Sequence, residues 1–311
     1  MYSIDIIIPT YKPGKNFLEL VERLCHQTVP VDRIIVMNTE EKYYEELVYG
    51  TKITEKYREK VSVFHLSKRE FDHGGTRHVA VQRSGAQVVV MMTQDAMPAD
   101  EYLLERLIEP LQEEKCAVSY GRQLAGEKSS ELEKIIREFN YPREARIQSA
   151  DQMETSGIKT FFCSNVCAAY KRSVYDELGG FIRHTIFNED MIYAAKAVKA
   201  GYHIAYAAEA RVYHSHDYTN LQQFKRNFDL GVSQADHPEV FAGISSEREG
   251  GKLVRTVTQR LCSARKWGKL LGFYVQCVCK YAGYLLGKNY GRLPRRLVLK
   301  CTMSPAYWKK K

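Results

Sequence analysis

The 311-residue chain lacks any apolar run of the ~20 residues that a helix needs to cross a bilayer. The nearest stretch, residues 270–279, is flanked by Lys269 and Lys280 and carries Gln276, so it does not span. No basic, apolar, cleavable segment comes before the first strand-like residues, which predicts a cytoplasmic chain. The eight cysteines include no C-x-x-C pair and no zinc-finger spacing. Cys163 with Cys167, and Cys277 with Cys279, read as packed thiols in a reducing compartment. Acid is scarce in one region only. Residues 248–311 hold sixteen Lys and Arg against Glu249 alone, so in a chain of net charge +9 the first 247 residues carry −6. The body reads as an ordinary soluble enzyme, and the basic character belongs to a tail suited to nucleic acid or an anionic membrane surface.

What is present is alternation. Residues 4–8, 33–37, 61–66 and 88–92 are short apolar or β-branched runs, with helical patterns between them at 15–27, about 41–60 and, opened by a glycine-rich turn at 71–77, on to about Ser84. Such alternation predicts a parallel sheet with right-handed crossovers, wound as a nucleotide-binding half. The strand ends carry Thr10, Asn38 with Glu40, Asp72 and Asp95. In a parallel sheet those ends share one edge, where open α/β sheets place their ligands. Asp95 follows the most apolar run and can hold a divalent cation, or cap the next helix. The pair Gly74-Gly75 before a helix offers N–H groups to a phosphate, or simply makes a turn.

Further on, a polar excursion at 126–158 leads to a return to the sheet at 161–170. Asn188-Glu189-Asp190 then opens a helix whose dipole favours acids in its first turn. A strand closes on Val212-Tyr-His-Ser-His216, which would put His214 and His216 on one face, as half of a metal site or as a packed pair. A polar helix at 219–230 and a mobile loop at 243–251 follow. Segment 265–287 is amphipathic, either an interfacial helix or one packed on its own domain. The predicted division is a catalytic domain, 1–240, and a membrane-associating region, 241–311.

Taken together, Ile6-Ile-Ile-Pro-Thr-Tyr11, Phe71-Asp-His-Gly-Gly-Thr-Arg77, Met92-Thr-Gln-Asp-Ala96, Asn188-Glu-Asp190, Tyr213-His-Ser-His216 and Phe228-Asp-Leu-Gly-Val232 form an ordered set. In this order and spacing the sequence resembles the family 2 glycosyltransferases of the GT-A fold, particularly bacterial rhamnosyltransferases, over nearly its whole length. The resemblance implies an α/β fold: a GT-A-type, mostly parallel nucleotide-binding sheet flanked by helices, with a basic amphipathic helical C-terminal tail. It implies donor binding by Pro9, Thr10, Tyr11, Asn38, Glu40, Asp72, Gly74, Arg77 and Gln94. It also implies Mg²⁺ or Mn²⁺ held by Asp95 and His214, and Asp190 as catalytic base. Glu189, His216 and Asp229 fall to acceptor or supporting roles. Two departures stand out: Thr93 replaces the first acid of the family's D-x-D motif, and Asn38 stands where many relatives have Asp.

The implied activity is inverting transfer of a sugar to a lipid-linked saccharide acceptor, by a peripheral protein on the cytoplasmic face of the cell membrane. The implied donor is dTDP-rhamnose, with a UDP-linked sugar as the alternative. A catalytically silent sugar-nucleotide-binding scaffold is the second reading. A nucleic-acid partner is not expected, because it would leave the sugar-nucleotide site without a use.

Overall fold

The computed structural model describes residues 2–49, 56–242 and 247–310. Four strands, β1 (Ile4–Tyr11), β2 (Arg33–Thr39), β3 (Val61–Leu66) and β4 (Val88–Met92), run parallel in the order β3-β2-β1-β4. β1 and β4 are apolar on both faces, and Ile4, Ile6, Ile7, Ile8 and every residue of β4 are fully buried, as strands covered on both sides must be.

Beyond β4 the sheet changes direction. After β5 (Met97–Pro98), β6 (Cys116–Leu124) and β7 (Arg146–Gln148), strand β8 (Cys167–Lys171) enters between β4 and β6, antiparallel to both. β9 (His203–Tyr213) runs parallel to β6, while β5 and β7 pair antiparallel with β9. The expected α/β architecture stands, with a mixed sheet. Because β8 is reversed, its amino end meets the carboxyl ends of β1, β4, β6 and β9 at one edge.

Several local expectations are revised. The charged helix expected to about 60 is α2 (Glu41–Val48), which follows α1 (Lys15–Cys25); residues 50–55 lie outside the described residues. The return expected from 161 begins as a 3-10 turn, Gly157–Phe161, and the strand starts only at Cys167. β9 stops at Tyr213, so His214 and His216 stand beyond the strand. Residues 247–251, expected in a mobile loop, open a helix, and 243–246 lie outside the described residues.

The helices next to that sheet edge are α3 (His73–Gln82), α4 (Glu131–Asn140), α5 (Glu189–Lys199) and α6 (Asn220–Asp236). The tail adds α7 (Glu247–Ser263), α8 (Trp267–Lys288) and α9 (Arg295–Cys301). It folds back on the body. A Cβ at Gly283 would stand 2.1 Å from the Phe224 carbonyl oxygen, and one at Gly287 2.1 Å from that of Phe228, so α8 and α6 meet backbone to backbone. Ile186, Phe228 and Val232 share a core with Val298, Cys301 and Trp308, and Ile135 shares one with Val257, Leu261, Leu270 and Phe273. Tail cations also pair with acids of α4: Lys266 and Lys269 with Glu131, and Arg260 with Glu138.

A division at 240 therefore cuts through two apolar cores. One face of α8 packs on the body, and the other carries the exposed side chains of Trp267, Leu271, Tyr274, Val275, Val278, Tyr281 and Leu285. Their spacing of three and four makes one continuous helical stripe. Among the described residues no helix is long and apolar enough to cross a membrane.

Candidate active site

Asp95 lies just past β4, and the chain after β9 brings two imidazoles to it. His216 Nε2 is 3.2 Å from Asp95 Oδ2, His214 Nε2 is 3.6 Å from Oδ1, and the two Nε2 atoms are 3.1 Å apart. His214 is oriented from behind. Its Nδ1 is 2.9 Å from Gln123 Oε1, which also accepts from Arg137, while the Gln123 amide nitrogen donates to Tyr141 and Ser164. With that oxygen as acceptor, Nδ1 carries the proton and Nε2 presents a lone pair to Asp95. Burial holds His214 down to about 3, so the ring is neutral at physiological pH. Burial alone would raise the Asp95 carboxyl, but its surroundings, led by the hydrogen bond from His216, outweigh burial and hold the carboxyl well below the usual range.

An anionic oxygen and two imidazole nitrogens thus face a common point, with ligand atoms all within 4.8 Å of one another. A lone pair of neutral His214 aimed into that space is a donor set for a divalent cation. The group fits the expected Mg²⁺ or Mn²⁺, and His216 stands in it beside Asp95 and His214.

The second half of the site is the start of α5. Asn188 takes a left-handed conformation (φ 64°), which Asn tolerates better than most residues, and donates from Nδ2 to Ser233 of α6 at 3.2 Å. This turn presents two adjacent acids with different surroundings. Glu189 is buried against Arg77 (3.1 Å) and accepts from Asn165 Nδ2 (3.0 Å). Burial opposes its charge, but Arg77 and then His73 keep its carboxyl below the usual range. Asp190 accepts the backbone N–H of Asn165 (3.0 Å) and that of Met191 (2.8 Å). Burial, and then the Glu189 charge beside it, push its carboxyl up to about 7. Two neighbouring carboxyls with separated affinities are the usual basis for assigning proton-transfer roles.

The Asp95–His214–His216 cluster and the acid pair are joined through the lead into β8. Ser164 receives the Gln123 amide, Asn165 contacts both acids, and Val166 O accepts Thr93 N–H at 3.2 Å. Neither Gln123 nor Asn165 emerges from the sequence reading. The available signal for Asn165 was a polar pair, Ser164-Asn165, inside an otherwise apolar run. Arg226 adds a cation over the rings of Phe187 (4.7 Å) and Tyr218 (5.7 Å), between the two halves.

The residues expected at the donor divide into two groups. Tyr11 has a half-exposed ring beneath Lys68, and its backbone N–H and carbonyl are both held by the Gln94 amide (2.9 and 3.1 Å). Tyr11 and Asp72 line a cavity of about 450 Å³. Pro9 is part of the β1 ladder opposite Met37, and Glu40 accepts Lys68 N–H at 2.7 Å.

The others turn inward. Asn38 is fully buried; its amide nitrogen donates to Glu40 O and lies 3.0 Å from His65 Nδ1, while its oxygen accepts the Thr10 hydroxyl. Thr10 and Asn38 therefore link the ends of neighbouring strands. Gly74 is buried where a Cβ would stand 1.9 Å from Ile182 O, and the Gly75 N–H is spent on Asp72, the N-cap of α3. Arg77 is occupied by Glu189. Asp229 is supporting: its carboxylate accepts the Thr302 hydroxyl and the Met303 N–H.

The description Glycosyl transferase family 2 matches residues 5–179, from β1 through β8. This chain belongs to that family. The match takes in Asp95 and Asn165 and stops short of Asp190. The family 2 glycosyltransferase is 36% identical over 311 residues to the O-antigen chain rhamnosyltransferase RfbN of Salmonella typhimurium strain LT2, covering 98% of this chain and 96% of that protein. It is likewise 36% identical over 314 residues to the O-antigen chain rhamnosyltransferase WbaN of Salmonella anatum, covering 99% and 96%. Among solved structures, it resembles the mannosyltransferase PcManGT of Pyrobaculum calidifontis, in complex with GDP-Man and Mn²⁺, with TM-score 0.63 and 13% identity over 94% of this chain and 88% of that one. TarS 1–349 of S. aureus with UDP-GlcNAc gives TM-score 0.50 and 15% identity, over 93% and 91%. At such identities the two structures speak for the fold alone.

The buried Arg77–Glu189 pair generates a stability test. In Arg77→Met, Glu189 loses its cation, and its folded-state affinity for a proton rises above the unfolded value. Stability is then retained at low pH, where Glu189 takes a proton, and lost as pH rises. Urea unfolding should show a loss of about 3–5 kcal/mol at pH 8 and a smaller loss at pH 5. Equal losses at both pH values would mean that Arg77 does not hold a charged Glu189.

Proposed function

We propose that this family 2 glycosyltransferase transfers rhamnose from dTDP-rhamnose, with inversion, to a lipid-linked saccharide in cell-surface polysaccharide synthesis. The observation that carries the reading is the two-sided arrangement at one sheet edge. Asp95, His214 and His216 converge on one side of the lead into β8, and the acid pair lies on the other. The names of two relatives, 36% identical over nearly full length, support rhamnose. The GDP-Man and UDP-GlcNAc complexes of the fold neighbours support a nucleotide-sugar donor.

Asp95, His214 and His216 would hold Mg²⁺ or Mn²⁺, whose positive charge offsets that of the departing diphosphate. Asp190 removes the acceptor hydroxyl proton as that oxygen bonds to the anomeric carbon. The bond from that carbon to the diphosphate oxygen breaks, and its electron pair leaves with the diphosphate. A single displacement inverts the centre and needs no enzyme nucleophile. An acid raised toward neutrality can accept a proton in the reaction and release it afterwards. Glu189, fixed as a charge by Arg77, keeps Asp190 raised.

The lipid-linked acceptor places the reaction beside a bilayer. The apolar stripe of α8, set in a tail of sixteen cations and one acid, suits peripheral attachment to the anionic cytoplasmic face.

Asp190→Asn should lower release of dTDP from dTDP-rhamnose by about 10²–10⁴-fold while donor binding persists. A variant that keeps more than about a tenth of the activity would exclude Asp190 as the base. In the unaltered enzyme kcat/KM should fall as pH drops through about 7, because the base is then protonated. For the membrane, Leu271→Glu with Val278→Glu should abolish co-sedimentation with phosphatidylglycerol vesicles while dTDP binding stays intact. Unchanged sedimentation would remove the stripe from the membrane face.

A further inference from the structure

The cavity beside Tyr11 is not built by the sheet edge alone. Its far wall is a tail segment, Met303, Ser304, Pro305, Ala306 and Tyr307, facing Tyr11, Phe71 and Asp72. That segment is fastened at several points, among them the Tyr307 hydroxyl, which donates to Asp236 at 3.3 Å. Asp229, buried in α6, accepts the Thr302 hydroxyl and the Met303 N–H (3.0 Å). Trp308 is buried in one core with Phe228 and Val232. The Tyr307 ring lies nearly parallel to that of His184, with centroids 4.7 Å apart and an interplanar angle of 15°.

His184 is in turn tied to the body, because its N–H donates to Asp72 at 3.0 Å. Asp72 and Asp229 therefore fix the two members of a single stacked wall, one from each part of the chain. The interior is largely aromatic and apolar, through Tyr11, Phe71, Ile186, Met303 and Tyr307, with Lys68 over the Tyr11 ring. Such a lining suits a flat heterocycle, whose faces stack and whose edge is polar. One wall of the cavity is tied to the candidate cation cluster, since the Tyr11 backbone is held by Gln94, the neighbour of Asp95.

We propose that residues 303–307 form a wall of the donor site that binds the nucleoside of a nucleoside diphosphate, with Tyr307 and Met303 as affinity- and specificity-determining residues and Asp229 as the positioning residue that holds them. This inference rests on the reading of the chain as a nucleotide-sugar enzyme. It gives the tail a role at the substrate, and not only at the membrane.

The test is calorimetric titration of the full chain with dTDP and, separately, with inorganic pyrophosphate, both in the presence of Mn²⁺. Tyr307→Ala should weaken dTDP about tenfold, as expected when a base loses a stacking partner. Tyr307→Phe, which keeps the ring, should bind dTDP like the unaltered chain. Met303→Ala, at a side chain already 43% exposed and so outside any core, should weaken dTDP by a smaller factor. Pyrophosphate affinity should not change in any variant. Unchanged dTDP affinity in both alanine variants would overturn the inference alone, as would an equal loss of dTDP and pyrophosphate affinity. Failure of the unaltered chain to bind dTDP would overturn both the inference and the donor reading beneath it.

Discussion

The arrangement at the candidate site, on one edge of the sheet, depends on the reversal of β8. A strand running parallel to its neighbours would bring its carboxyl end to that edge, where a turn or helix normally follows. Running antiparallel between β4 and β6, β8 instead delivers its amino-terminal lead, Ser164-Asn165-Val166. This lead bonds to Thr93 beside the metal triad, to Gln123 behind His214, and to both acids of α5. Asn165 is itself anchored by the buried Tyr170 hydroxyl, which donates to its Oδ1 at 2.7 Å. The spacing between the Asp95–His214–His216 cluster and Asp190 is thus set by the backbone of one short segment, supported by the sheet.

Electrostatics then separates groups that sequence alone treats alike. Glu189 and Asp190 are adjacent and chemically similar, yet Arg77 and Asn165 make one a fixed charge. The other gains two backbone N–H groups but no cation of its own. Burying the Arg77–Glu189 pair costs desolvation that its Coulomb energy only partly returns. The return in function is an Asp190 raised toward neutrality. The same economy appears at His214, where burial removes the ring's charge and Gln123 fixes its tautomer.

The parts of this arrangement that were legible in the sequence are those encoded locally. Val88 to Met92 followed by a lone acid, and two histidines two apart, can be read from neighbours in the chain. The antiparallel strand could not be read so easily, because a buried strand has the same apolar character in either direction. Gln123 and Asn165 acquire roles only through that strand. Thr10, Asn38, Gly74 and Arg77 have long-range partners that their chain neighbours do not reveal: Asn38 for Thr10, His65 for Asn38, Ile182 for Gly74 and Glu189 for Arg77. The tail's composition announced a charged, amphipathic surface. Its glycines at 283 and 287 are what allow close docking on α6, and their meaning depends on Phe224 and Phe228, some sixty residues away.

The account's central claim is that Asp95, His214 and His216 form one cation site beside the base. Its most direct test is electron paramagnetic resonance of Mn²⁺ titrated into the unaltered chain and into His214→Ala. The account predicts a bound-Mn²⁺ signal in the unaltered chain, enhanced by dTDP, and its loss in the variant at the same concentrations. Equal Mn²⁺ binding by both chains, or full sugar transfer by the unaltered chain in excess chelator, would contradict it.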